Sequence, residues 1–192
     1  MKGYVYITGT GTDPSLRGNL NDPLLSKVPT LGACMPNIRR FVTEGDWIFI
    51  VSGKVAGAVQ YVVGGLQVEE KIDALAAYHR FPENRLTMGS GGLVMGNVIV
   101  QADGTQHPLD HHSAETFQDR VKNYVVGGSV IALSTPEEVD LGRQQTLGKL
   151  GDILGRRRGA NRVIDAMGRM SKLDEPQVTQ MLDWLSGIKA AT

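Results

Sequence analysis

The chain has 192 residues, enough for one domain with a proper core and short for two. Twenty Lys and Arg balance twenty Asp and Glu, so no global field draws the protein to nucleic acid; 41% apolar and 21% charged residues exclude a disordered or fibrous chain. The longest apolar stretches, WIFIV and SVIAL, fall far short of a bilayer span, and the lone Cys34 excludes an intrachain disulfide and a cysteine-built zinc site. The N-terminal MKGYVYITGTG is too short and too β-like for a signal-peptide core, and cytoplasmic residence is expected.

KGYVYIT, residues 2–8, is rich in β-branched and aromatic residues and ends at Gly9, which predicts a strand. The Gly-, Pro-, Asn- and Asp-rich stretch that follows reads as a long loop. It opens with GTG, but Pro14 stands where a dinucleotide fingerprint needs its third glycine. Pro36 opens a short helix, MPNIRRFV, with Ile38, Phe41 and Val42 expected to face inward and Arg39 and Arg40 elsewhere. DWIFIVSG is the next strand. AGAVQYVVGGLQVEE is an extended run with a bulge or bend at Gly64 and Gly65, and EKIDALAAYHRF is predicted as a helix.

NVIVQADGTQHP predicts a strand entering an Asp103-Gly104 hairpin turn, and YVVGGSVIALS a further strand. After Thr135 the pattern turns helical: TLGKLGDILG is amphipathic, and DEPQVTQMLDWLSGI has Asp174 as N-cap and Val178, Met181, Leu182 and Leu185 on one face. The order predicts an α+β fold with a small curved antiparallel or mixed β-barrel, embedded helices and a C-terminal helical segment. The expected division is a domain over residues 1–134 and a helical extension over 135–192 packed on it. Between Arg143 and Lys172 eight cationic residues face only Asp152 and Asp165, a segment suited to phosphate contacts.

HPLDHHS, residues 107–113, holds three of the four histidines. Asp110-His111-His112 also spells a metallo-phosphoesterase signature, but that chemistry needs further acidic ligands at the ends of parallel strands. Those are missing, so no metal site and no cofactor are expected. From the residues alone the cluster reads as a hydrogen-bonded structural loop, part of a polar pocket wall rather than a metal cage, with an acid or base role for one histidine, oriented by Asp110, as the alternative.

TLGACMPNIRRFVTEGDW, residues 30–47, resembles the second of the nucleotide-modification-associated domain families, with Thr30, Leu31, Cys34, Pro36, Ile38, Arg39, Arg40, Gly45, Asp46 and Trp47 in register. SGK at 52–54, the AYHRFP stretch, MGNVIVQADGTQHPLDHHS and DRVKNYVVGGS continue the likeness over most of residues 1–134. Met35 stands where that pattern has lysine, and Val126 where it has an aromatic. The resemblance implies a PUA-like module similar to the EVE, YTH and ASCH kinds, recognising a nucleotide or modified base in a DNA-modification or phage-defence pathway. The binding residues it points to are Arg39, Arg40, Trp47, Lys54, Tyr61 and Ser113, with Tyr78 a further aromatic candidate. Asp110, His111 and His112 are the catalytic candidates of the alternative, an enzyme acting on a nucleotide or base, in which Cys34 is a nucleophile only if its thiolate is stabilised. A third reading is a protein-interaction module whose helical tail docks a partner. No oligomeric state follows from the sequence.

Overall fold

A computed structural model describes residues 1–17, 20–156 and 159–192. Arg157 and Arg158 of the basic segment lie outside the described residues. In chain order the elements are β1 (Gly3–Ile7), α1 (Pro14–Arg17), β2 (Thr30–Leu31), α2 (Pro36–Phe41), β3 (Trp47–Val51), β4 (Val62–Ile72), α3 (Ala74–Arg80), β5 (Thr87–Met88) and β6 (Val94–Met95). They continue with α4 (Ala114–Arg120), β7 (Tyr124–Ala132), α5 (Pro136–Ile153), α6 (Val163–Met167), β8 (Met170–Leu173) and α7 (Glu175–Ala191). The fold is mixed α+β. Six strands follow the order β2-β7-β4-β3-β1-β8, and β5 pairs with β6 separately. The expected closure into a barrel is not seen: the sheet is open, with β2 and β8 at its edges.

The chain divides into two compact units. Unit 1 comprises Met1–Leu20, Gly45–Gln67 and Val130–Thr192; unit 2 comprises Asn21–Glu44 and Val68–Ser129. The helices after residue 135 therefore share unit 1 with β1 and β3.

In unit 1, β1 runs parallel to β3, Val5 opposite Phe49, and antiparallel to β8, Val5 opposite Ser171. Every residue of β1 and β3 is buried, which is why both read as unbroken apolar runs instead of alternating ones. The bulge expected at the glycine pair is present: Ile50 faces Gly64, but Val51 faces Val62. Gly64 has φ 154°, and a Cβ there would lie 2.2 Å from the Ile131 carbonyl oxygen, so the bend tolerates no side chain. Helix α5 starts in a capping box between Thr135 and Glu138, and α7 in one between Asp174 and Gln177. The face of α7 that carries Val178, Met181, Leu185 and Ile188 is buried. Each such side chain contributes roughly 1.5–3 kcal/mol through the area it removes from water.

In unit 2, β2 pairs antiparallel with β7, Thr30 opposite Val126. Phe81 and Tyr124 stack at 6.1 Å within a core that includes Ala77, Leu86, Ile99 and Phe117. The predicted helix EKIDALAAYHRF starts late. Glu70 to Ile72 stay in β4 because Asp73 is the N-cap, its carboxylate accepting from the Ala76 amide at 2.8 Å. NVIVQADGTQHP forms isolated bridges instead of a strand, Arg85 with Val98 and Val100 with Gln106. The Asp-Gly turn itself is present: Gly104 has φ 81°, and Asp103 accepts from the Thr105 hydroxyl at 2.6 Å.

Candidate functional site

Helix α2 departs from the sequence reading. Ile38 and Val42 are buried as expected, but Arg39 is fully buried while Phe41 is 48% exposed beneath the Arg40 guanidinium, 4.7 Å from the ring centroid. The interior offers acceptors only a fork-shaped cation can gather. Arg39 donates from Nε to the Cys34 carbonyl at 2.8 Å and from one terminal nitrogen to the carbonyls of Arg120 at 2.8 Å and Asn123 at 2.7 Å. Its other terminal nitrogen donates to the Ala33 carbonyl at 3.3 Å. Arg39 thus ties the start of α2 to the C-terminal end of α4. Arg40 is exposed, and its carbonyl accepts from Lys71 at 3.2 Å.

Asp22 holds the same stretch from another direction. Its carboxylate accepts from the amides of Gly32 at 2.9 Å, Ala33 at 3.0 Å and Cys34, and from the Asn97 amide at 2.9 Å. Asn97 and Asn84 in turn bond Tyr124 and Thr30. Burial, with the Asp22 charge adding to it, pushes the Cys34 thiol up to about 12, the wrong direction for a nucleophile; Arg39 opposes this without reversing it. The stabilised thiolate that a Cys34 nucleophile requires is therefore not provided.

The HPLDHHS segment is built from the Asp-Gly turn upward. That turn returns the chain so that Gln106 bridges Val100, and the Gln101 side chain donates to the Gln106 carbonyl at 3.3 Å. The Asp110 amide donates to the His107 carbonyl at 2.8 Å, and the Leu109 amide to His107 Nδ1 at 3.1 Å, closing a compact loop. Asp110 points its carboxylate inward, 2% exposed, where Oδ1 meets His112 Nδ1 at 2.5 Å. Gln106 Nε2 donates to Asp110 Oδ2 at 2.8 Å and to the His112 carbonyl at 2.9 Å. An ionised carboxylate only accepts, so Nδ1 carries the proton in a neutral His112 and Nε2 keeps its lone pair. The His112 side chain is 34% exposed, and Nε2 has no partner among the described residues. His111 is exposed, and Ser113 is the N-cap of α4, accepting from the Glu115 amide at 3.3 Å.

Of the predicted residues, unit 2 therefore holds Arg39, Arg40 and Asp110 to Ser113, and brings Asp110 and His112 into contact. Gln106 escaped the sequence reading. The signal that marks it is the Asp-Gly turn, which sets it opposite Val100. Tyr78 is covered by Arg85, whose guanidinium lies 3.8 Å from the ring centroid and donates to the Tyr78 carbonyl.

Unit 1 holds Trp47, Lys54 and Tyr61. Trp47 is 7% exposed and stacked on Phe49 at 5.7 Å, Lys54 is exposed, and Tyr61 is buried beneath Arg143, 4.8 Å from its ring centroid. Burial, with Asp13 adding to it, pushes the Tyr61 phenol up to about 12. Arg143 is itself committed, to Asp13 at 2.8 Å and the Ser15 hydroxyl at 2.7 Å, and Arg162 pairs with Asp165 at 2.8 Å. In the basic segment Lys149, Arg156, Arg169 and Lys172 remain exposed. A cleft of about 360 Å3 in unit 1 is lined by Lys149 of the basic segment with Asp152, Ile153, Gln180, Asp183 and Trp184.

Among the described residues no group of three or more His, Cys, Asp or Glu side chains is placed to hold a metal ion, and no helix is long and apolar enough to cross a membrane. Compared with known proteins, residues 15–125 match the family described as nucleotide modification associated domain 2. No curated protein and no solved structure matches.

Proposed function

Because the chain belongs to the nucleotide modification associated domain 2 family, we propose that it recognises a nucleotide or a nucleic-acid base in a nucleotide-modification pathway, through the loop from Gln106 to Ser113. The observation that carries this reading is the Asp110–His112 pair: a buried carboxylate orients a half-buried imidazole and leaves its outer nitrogen able to bond a ligand. In unit 2 the exposed Arg40 is the cation suited to a phosphate; considered by itself, unit 1 offers the exposed Lys54, Lys149, Arg156, Arg169 and Lys172 as proposed contacts to nucleic acid. Trp47 and Tyr61, buried in unit 1, are assigned to packing and not to base stacking. Arg39 supports the loop indirectly, since the helix it secures at Arg120 is the one that Ser113 begins.

Titration calorimetry against nucleosides, nucleotides and short DNAs with and without modified bases tests the reading. Saturable binding to at least one member is expected, weakened at least about tenfold, or ~1.4 kcal/mol, in His112→Ala. Absence of binding across the set, or a His112→Ala protein that binds as well as the parent, contradicts it.

The same pair supports a second reading, an enzyme with His112 as general base and Asp110 as its orienting partner. The nucleophile would then be water, since Cys34 is held protonated and the Ser113 hydroxyl caps α4. Mass spectrometry of nucleotides incubated with the protein separates the two: a product that disappears in His112→Ala favours the enzyme.

A further inference from the structure

The hydrogen-bond polarity of the Gln106–Ser113 loop is fixed by its internal bonds. The three groups that face Gln106 Nε2, the Asp110 carboxylate, the His112 carbonyl and, at 3.4 Å, the Asp110 carbonyl, are pure acceptors. The carboxamide therefore has one allowed orientation: its NH2 is turned to them and its oxygen away. That oxygen, Oε1, has no partner among the described residues. In the neutral ring His112 is constrained in the same sense, because with Nδ1–H given to the carboxylate Nε2 is the acceptor. Asp110 cannot turn to release it, since Oδ2 is held by Gln106 while Oδ1 is held by the ring and, at 3.4 Å, by the His112 amide.

The loop thus offers a ligand two neutral acceptors, Gln106 Oε1 and His112 Nε2. Residues 106–113 include no Lys or Arg and carry the Asp110 charge, so a phosphate gains nothing from this loop. An acceptor pair of this kind is satisfied by N–H donors, and a ligand lacking them leaves both lone pairs unpaired.

We infer that this loop selects a nucleobase by N–H donors on its edge, an exocyclic amine or a ring imide, and not by its phosphate, with Gln106 as the positioning residue that fixes the acceptor polarity. The inference rests on the proposed reading of the loop as the ligand site and names the chemistry it selects.

The test measures the affinity of the intact protein for adenosine, cytidine and thymidine and for their N6,N6-dimethyl, N4,N4-dimethyl and N3-methyl analogues. At least one parent nucleoside is expected to bind at least about tenfold more tightly than its methylated partner. Nitrogen-15 NMR of the imidazoles is expected to show the Nδ1–H tautomer for neutral His112, and a shift toward Nε2–H in Gln106→Leu with the His107 signals retained. Methylated and parent nucleosides binding equally, or an Nε2–H tautomer in the wild type, overturns the inference. If nucleosides bind through His112 without sensing methylation, the inference fails and the proposed site stands; if no nucleoside or nucleotide binds, both fail. The ligand series uses only the wild-type chain, so its result does not depend on the folding of Gln106→Leu.

Discussion

Arg39 and the Asp110–His112 loop, both in unit 2, were alike in sequence: polar groups inside a family-like motif, both credible as ligand contacts. Their surroundings differ. Arg39 is fully buried and donates to four backbone carbonyls, whereas the loop keeps an imidazole nitrogen and a carboxamide oxygen without partners among the described residues. A polar group whose capacity is spent on its own chain stabilises the fold. One with capacity left over is available to a ligand.

The sharpest way to break this contrast is Arg39→Ala. Four carbonyls lose a charged donor, and a loss of roughly 3–5 kcal/mol is expected from the denaturant midpoint, with Arg39→Lys recovering only part because an ammonium cannot span the same fork. A stability change under about 1 kcal/mol would place Arg39 with the functional residues instead.

Cys34 sharpens the contrast through reactivity. A thiol held at about 12 is expected to be alkylated by iodoacetamide near pH 8 at least about a hundredfold more slowly than an unstructured cysteine, with the difference abolished by denaturant. Rapid labelling of the native protein would show that the Asp22 and Arg39 surroundings are not closed as described.

Glu138 extends the comparison to unit 1. Burial pushes its carboxyl up, but the Lys189 ammonium and the Ser134 and Thr135 amides outweigh that and hold it at about 2, below its ordinary 4.5. Its folded value is depressed, so its contribution is fully present above about 4.5 and is lost as pH falls through about 2. Unfolding measured between pH 7 and pH 2 is expected to show a shallower acid loss for Glu138→Gln than for the wild type. A smaller stability effect than that of Arg39→Ala is expected for His112→Ala, roughly 1–3 kcal/mol, because the buried Asp110 carboxylate loses its Nδ1–H donor while Gln106 still donates to Oδ2.

What the sequence disclosed follows the range over which each signal acts. Gly3–Ile7 and Trp47–Val51 were legible as strands because burial on both faces selects continuous apolar runs, and α7 because Asp174, Pro176 and its apolar face agree over a single segment. Arg39 was misplaced on its helix because the carbonyls of Arg120 and Asn123 that draw it inward lie more than eighty residues along the chain. The Asp110–His112 contact is local, two residues apart; the sequence offers Asp110 as partner to His111 or His112, and the structure brings His112 to it. Gln106 was not legible, because its amide became meaningful only once the Asp-Gly turn had placed it beside that carboxylate.

The most direct measurement of the central claim is an amide NMR titration of the whole chain with the tightest-binding nucleoside. The account predicts that the largest shifts fall on residues 106–113 and vanish in His112→Ala; shifts concentrated around Arg39 or in unit 1, with residues 106–113 unmoved, would contradict it.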